Sequence, residues 1–134
     1  MLTKLKDWKS FNEYVDSKIY TLDDVQKIQS SNKPSSDIIF DAKQGDLFNL
    51  KNVNLDDINI DENLTLDFYK NEDLDEDVHI VEKLLNLLDS DIDISPIVLD
   101  ENYKIMDGLH RYVAHKEYRD YYNGPSKIKA FVKI

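Results

Sequence analysis

The stretch PIVLDENYKIMDGLHRYVAHKEY, Pro96–Tyr118, decides how the rest of the chain is read. Two short apolar runs flank the turn-like segment Asp100–Tyr103, which predicts a β-hairpin. Asp107 and Gly108 follow, and His110 and Arg111 then open a segment with helical spacing that Asn123-Gly124-Pro125 closes. Gly108 is one of only three glycines, so its position carries weight. A glycine between strand and helix permits a positive φ and a close approach of the backbone. The amides after it, from Leu109, His110 and Arg111, have no partner inside the helix, and the helix dipole stands behind them. The junction therefore predicts an oxyanion site. Arg111 offers a planar fork for phosphate, and Asp107 is placed to hold a divalent cation or to orient the arginine. His115 and Arg119 lie one and two turns further on and extend a positive stripe, while Ala114 and Tyr118 fall on a neighbouring face that packs against a sheet.

Working outward, KIKAFVKI (Lys127–Ile134) sets Ile128, Ala130, Val132 and Ile134 on one side and Lys127, Lys129, Phe131 and Lys133 on the other, which is a strand. Upstream, DVHIVEKLLNLLDS (Asp77–Ser90) carries a stripe of Val81, Leu84, Leu85 and Leu88, an amphipathic helix with His79 exposed. The acidic NEDLDED before it suits the positive end of a helix. VNLDDINI (Val53–Ile60), with Val53 and Leu55 on one face, and NLTLDFY (Asn63–Tyr69), alternating Leu64, Leu66 and Phe68, read as half-buried strands. Thr21 and Asp24 predict a capping box for a short helix with Leu22, Val25 and Ile28 on one side. SSNKPSSD reads as a loop, DIIF as a brief strand and AKQGD as a turn. Residues 4–19 read as an amphipathic helix through Leu5, Trp8, Phe11, Val15 and Ile19. Helices mixed with short strands in no strict βαβ repeat give the α+β class.

The 134 residues are 41% hydrophobic and 33% charged, with net charge −10, an ordinary globular composition. No apolar run is long enough to span a bilayer and MLTKLKDWKSFNEY lacks a leader core, so a cytoplasmic protein with no membrane partner is expected. The absence of cysteine excludes disulfides, thiolate zinc sites and thiol nucleophiles. Residues 55–101 hold sixteen acidic residues against two lysines, whereas residues 102–134 hold seven basic against three acidic. Tight DNA binding is therefore not expected, and an anion site belongs in the last third. The chain has fifteen lysines but two arginines, both after Gly108, where a planar fork suits phosphate or carboxylate. The Lys-, Asn- and Ile-rich composition suits an AT-rich genome, such as that of a phage or a low-GC bacterium.

Asp107, Gly108, His110, Arg111 and Ala114 match a DGxHRxxA pattern, with a hairpin before it and a helix and strand after it. In this the chain resembles the ParB/sulfiredoxin superfamily, over about Val53–Ile134. The resemblance implies a small mixed sheet with packed helices over residues 51–134, with residues 1–50 as an N-terminal helical extension packed on that core. It also implies that Gly108, Leu109, His110, Arg111 and His115 bind the phosphates of a nucleoside tri- or diphosphate, ATP or CTP, with magnesium on Asp107. An NTPase or phosphotransferase of this kind would work through Asp107, His110 and Arg111 with an acidic residue from the first strands. Glu62, Asp56 and Asp57 are the candidates, and their spacing does not choose among them. Leu109 stands where sulfiredoxins carry cysteine, which removes sulfinic acid reduction. His110 replaces one of two adjacent arginines of partitioning ParB proteins, and no DNA-binding domain follows, so centromere recognition is not expected. Three alternatives stay open: a nucleotide sensor without turnover, a ParB-like nuclease, and a non-catalytic acidic protein. The last would engage a basic protein through residues 55–101 or mimic nucleic acid. The first fifty residues either cover the sheet or form a homodimer contact.

Overall fold

The computed structural model describes residues 18–30, 42–60 and 64–134. Residues 4–17 of the helix expected over 4–19, residues 31–37 of the SSNKPSSD loop, the DIIF strand and Glu62 lie outside them. Ile19 is described and is not helical. With Tyr20 and Thr21 it forms β1 (Ile19–Thr21), which pairs antiparallel with β2 through Ile19↔Asn49 and Thr21↔Leu47. Three β-prone residues beside an open strand edge outweigh the apolar spacing that extended the helix.

The capping box forms as expected and opens α1 (Leu22–Ser30). The Asp24 N–H donates to Thr21 Oγ1 at 3.2 Å and the Thr21 N–H donates to Asp24 Oδ2 at 3.1 Å. The turn at Ala42–Asp46 is closed by the Asp46 N–H donating to the Lys43 carbonyl at 3.0 Å, and it leads into β2 (Leu47–Asn54). The second half of VNLDDINI is not a strand. The Asn54 side chain accepts the Asp56 N–H at 3.0 Å and turns Leu55–Asp57 into one 3-10 turn, although Val53 and Leu55 are buried together.

NLTLDFY likewise departs from its strand reading and forms the helix α2 (Leu66–Asn71). Thr65 accepts the Phe68 N–H at 3.1 Å, and Leu66 and Tyr69, three apart, turn inward while Phe68 faces out. Helix α3 (Asp75–Asp89) follows, with Val81 and Leu85 buried and Leu84 and Leu88 packed beside them. The hairpin β3 (Ile97–Leu99) and β4 (Ile105–Asp107) precedes α4 (Leu109–Tyr122), which ends at Asn123 with φ 59°. Strand β5 (Lys127–Lys133) completes a sheet of order β1-β2-β5-β3-β4, antiparallel except for β3 against β5.

The class is α+β. One sheet face carries α2, α3 and α4, with Val81, Leu85, Val113 and Ala114 packed on Ile97, Leu99, Ala130 and Val132. The other carries α1, with Leu22 and Val25 against Phe48, Val98, Met106 and Phe131. Phe131, interleaved with lysines in the sequence, is thus the centre of a second core. Strand β2 spans residue 50, so β1 and the start of β2 belong to the same sheet as the rest. No helix among the described residues is long and apolar enough to cross a membrane.

Candidate functional site

Gly108 joins β4 to α4 with φ 105° and ψ 34°, the left-handed region that glycine alone enters without strain. A Cβ there would stand 2.8 Å from Cγ2 of Ile97 and 3.0 Å from Nη2 of Arg111. The glycine therefore provides both the turn and the room for the start of β3 and the motif arginine to close around it.

Arg111 points inward and is 5% exposed. Its Nη1 donates to the Pro96 carbonyl at 2.7 Å and to the Ser95 carbonyl at 3.3 Å, and its Nη2 donates to Asp107 Oδ2 at 3.1 Å. The planar fork is used, but on acceptors of the chain itself. It clamps the start of β3, the end of β4 and the first turn of α4 together. The same Pro96 carbonyl accepts Nε2 of Gln29, from α1 on the opposite face of the sheet, at 2.8 Å. Gln29 is buried, and its Oε1 has no hydrogen-bond partner among the described residues.

Next to this clamp, His110 Nε2 lies 2.6 Å from Asp77 Oδ1 of α3, and its ring packs 5.8 Å from that of Tyr69. Both partners of the His110–Asp77 contact are about one-third exposed. Leu109 is 47% exposed at the helix start. His115 is drawn toward the interior, and burial lowers its pKa from 6.5 to about 4, helped by the Arg111 guanidinium and opposed by Asp93. Arg119 donates to Asp120 at 2.8 Å and to Asp56 at 2.9 Å. The expected stripe from Arg111 through His115 to Arg119 is therefore not an exposed positive face. Ala114 and Tyr118 do pack toward the sheet, as expected.

The helix ends differ in how their first amides are treated. Helix α1 has its capping box, α2 has Thr65 and Asp67, and α3 has no side-chain cap but carries Asp75, Glu76 and Asp77 in its first turn. Helix α4 has neither a side-chain cap nor an acidic residue in its first turn. Among the described residues it is the one helix that starts this way, and it is the helix opened by the motif.

Asp107, Gly108, Leu109, His110 and Arg111 are thus brought together, with His115 one turn behind. Asp56 is held by Arg119, two turns along α4 from the motif arginine, and does not join them. Asp107 shares its carboxylate with a buried guanidinium, and no group of three or more His, Cys, Asp or Glu side chains that could hold a metal ion occurs among the described residues. Magnesium is held by one or two carboxylates together with waters and substrate phosphates, so Asp107 would take it only beside a bound phosphate, and no step here runs through a metal. Sequence reasoning missed Asp77 and Gln29. Asp77 stood in an acidic run with nothing to single it out, and Gln29 is 67 residues from the carbonyl it binds. Comparison of the chain with family models, with curated proteins and with solved structures finds no match in any of the three.

Proposed function

We propose that the start of α4 binds the phosphate group of a nucleoside di- or triphosphate, as a non-catalytic sensing module. The observation that carries this is the uncapped first turn of α4 behind a left-handed glycine. In this reading the backbone amides of Leu109 and His110 receive the oxyanion, and Arg111 is a positioning residue that holds those amides in place. His110 sits at the rim and reaches the ligand only by leaving Asp77. Turnover is not part of the proposal, because the Asp107 and Asp77 carboxylates are engaged by Arg111 and His110. Those carboxylates also keep the local charge close to balanced, so binding is modest and falls with salt.

Thermal shift with ATP, CTP, ADP and tripolyphosphate, each with and without magnesium, tests this on the wild type and on Leu109→Asp. Leu109 is exposed, and a carboxylate there occupies the positive helix end without disturbing the core. The wild type is expected to be stabilised by at least one of the four, magnesium or not. Leu109→Asp should melt no lower than wild type and lose the response. No shift with any of the four removes the proposal.

A further inference from the structure

The sheet face that carries α2, α3 and α4 has an apolar patch at its β1 end. Tyr20 sets its ring against that of Phe131 in the core beneath α1, centroids 5.0 Å apart, so its neighbour Ile19 points to the opposite face. Leu47 does the same, since Phe48 beside it is buried in the α1 core. The Ile134 N–H donates to the Leu47 carbonyl at 2.8 Å, which carries the β2–β5 ladder one step past Phe48↔Lys133. Ile134 is therefore in phase with Ala130 and Val132 and shares their face. Ile19, Leu47 and Ile134 stand 48%, 42% and 60% exposed, on or at the end of three neighbouring strands. Helices α2, α3 and α4 pack over Val53, Ile97, Leu99, Ala130 and Val132, and Ile19, Leu47 and Ile134 lie outside that core. Three aliphatic side chains on adjacent strands form one patch rather than a scatter of single residues.

The occupant is chosen by the chain that runs into the patch. Residues 1–17 lead through Lys18 directly to Ile19, which is part of it. Residues 31–41, also outside the described residues, are tied at both ends to the opposite face, where Ile28 and Ala42 pack against the α1 core. In the leading segment Leu5, Trp8, Phe11 and Val15 recur at three- and four-residue steps, the spacing of one helix side. A helix over residues 4–17 would be about 21 Å long, and the patch spans two strand spacings, about 10 Å. A second copy of the chain is the poorer occupant, because three half-exposed side chains fall short of the about 800 Å² per partner that a stable dimer buries. A tethered segment needs less area, since a short linker holds it at an effective concentration on the order of mM. We propose that residues 4–17 dock as an amphipathic helix across β1 and β2, with Trp8 and Phe11 over Ile19, Leu47 and Ile134, completing the helix layer on this face of the sheet.

Trp8 is the only tryptophan in the sequence, so intrinsic fluorescence reads the docking on the unlabelled whole chain. Acrylamide quenching and the emission maximum are measured for the wild type, Leu47→Lys and Ile134→Lys, whose substituted positions are exposed and outside both cores. Wild-type Trp8 is expected to be quenched about threefold less than in the urea-unfolded chain, with emission shifted to the blue, at every protein concentration. Either lysine should bring quenching close to the unfolded value, whereas Ile92→Lys, exposed beyond the end of α3, should leave it as in the wild type. Ile134→Lys, at the last residue, keeps the reading if Leu47→Lys folds poorly. Trp8 quenched as fully in the wild type as in the unfolded chain overturns the proposal. So does shielding that neither lysine removes, or shielding lost on dilution, as a contact between two copies would be. Leu109→Asp should change none of these readings, which separates this outcome from the nucleotide response.

Discussion

At the scale of the single residue, the arginine and the second histidine of the motif segment are internal parts. Arg111 is buried among two carbonyls and the Asp107 carboxylate, whose side chain is 13% exposed. Replacing it with methionine leaves that carboxylate and the Ser95 carbonyl without this donor, at an expected cost of about 3–5 kcal/mol in urea denaturation. Arg111→Lys keeps the charge but cannot form the fork, and should fall between the two. A surface arginine would show less than about 1 kcal/mol in either variant. His115 makes a prediction with a sign. Its folded pKa, about 4, lies below the unfolded value near 6.5, so between those values the unfolded chain takes up the proton more readily. Its contribution is therefore undiminished above about pH 6.5, is lost as pH falls toward 4, and is flat below. The loss is at most about 3 kcal/mol. Stability curves of wild type minus His115→Gln should show this slope, and parallel curves would contradict it.

At the scale of the element, local chemistry was legible where it acts within a few residues. The Thr21–Asp24 box, the α3 stripe, the hairpin, Gly108 and the αL stop at Asn123 could all be read from spacing and residue type, because each is satisfied by neighbours in sequence. NLTLDFY was misread because Leu64, Leu66 and Phe68 alternate while Leu66 and Tyr69 also stand three apart. Thr65 as an N-cap decides between the two. Thr65→Ala should accordingly cost about 1 kcal/mol in chemical denaturation, as loss of a cap does and as substitution in a strand of this type would not. The site's long-range partners were not legible. That a buried glutamine of α1 and an aspartate of α3 meet the motif depends on how three layers stack, which no local pattern encodes.

At the scale of the whole molecule, the sheet is covered on both faces, and the layers meet at one end of it. There the Pro96 carbonyl is shared by Gln29 from one side and Arg111 from the other. The consequence is a helix start held from both faces of the sheet, with no side-chain cap at Gly108. The most direct test of the proposed oxyanion site is amide-resolved NMR of the whole chain titrated with tripolyphosphate. The account predicts saturable shifts at the amides of Leu109 and His110, absent in Leu109→Asp. Shifts confined to the C-terminal lysines, or none that saturate, would contradict it.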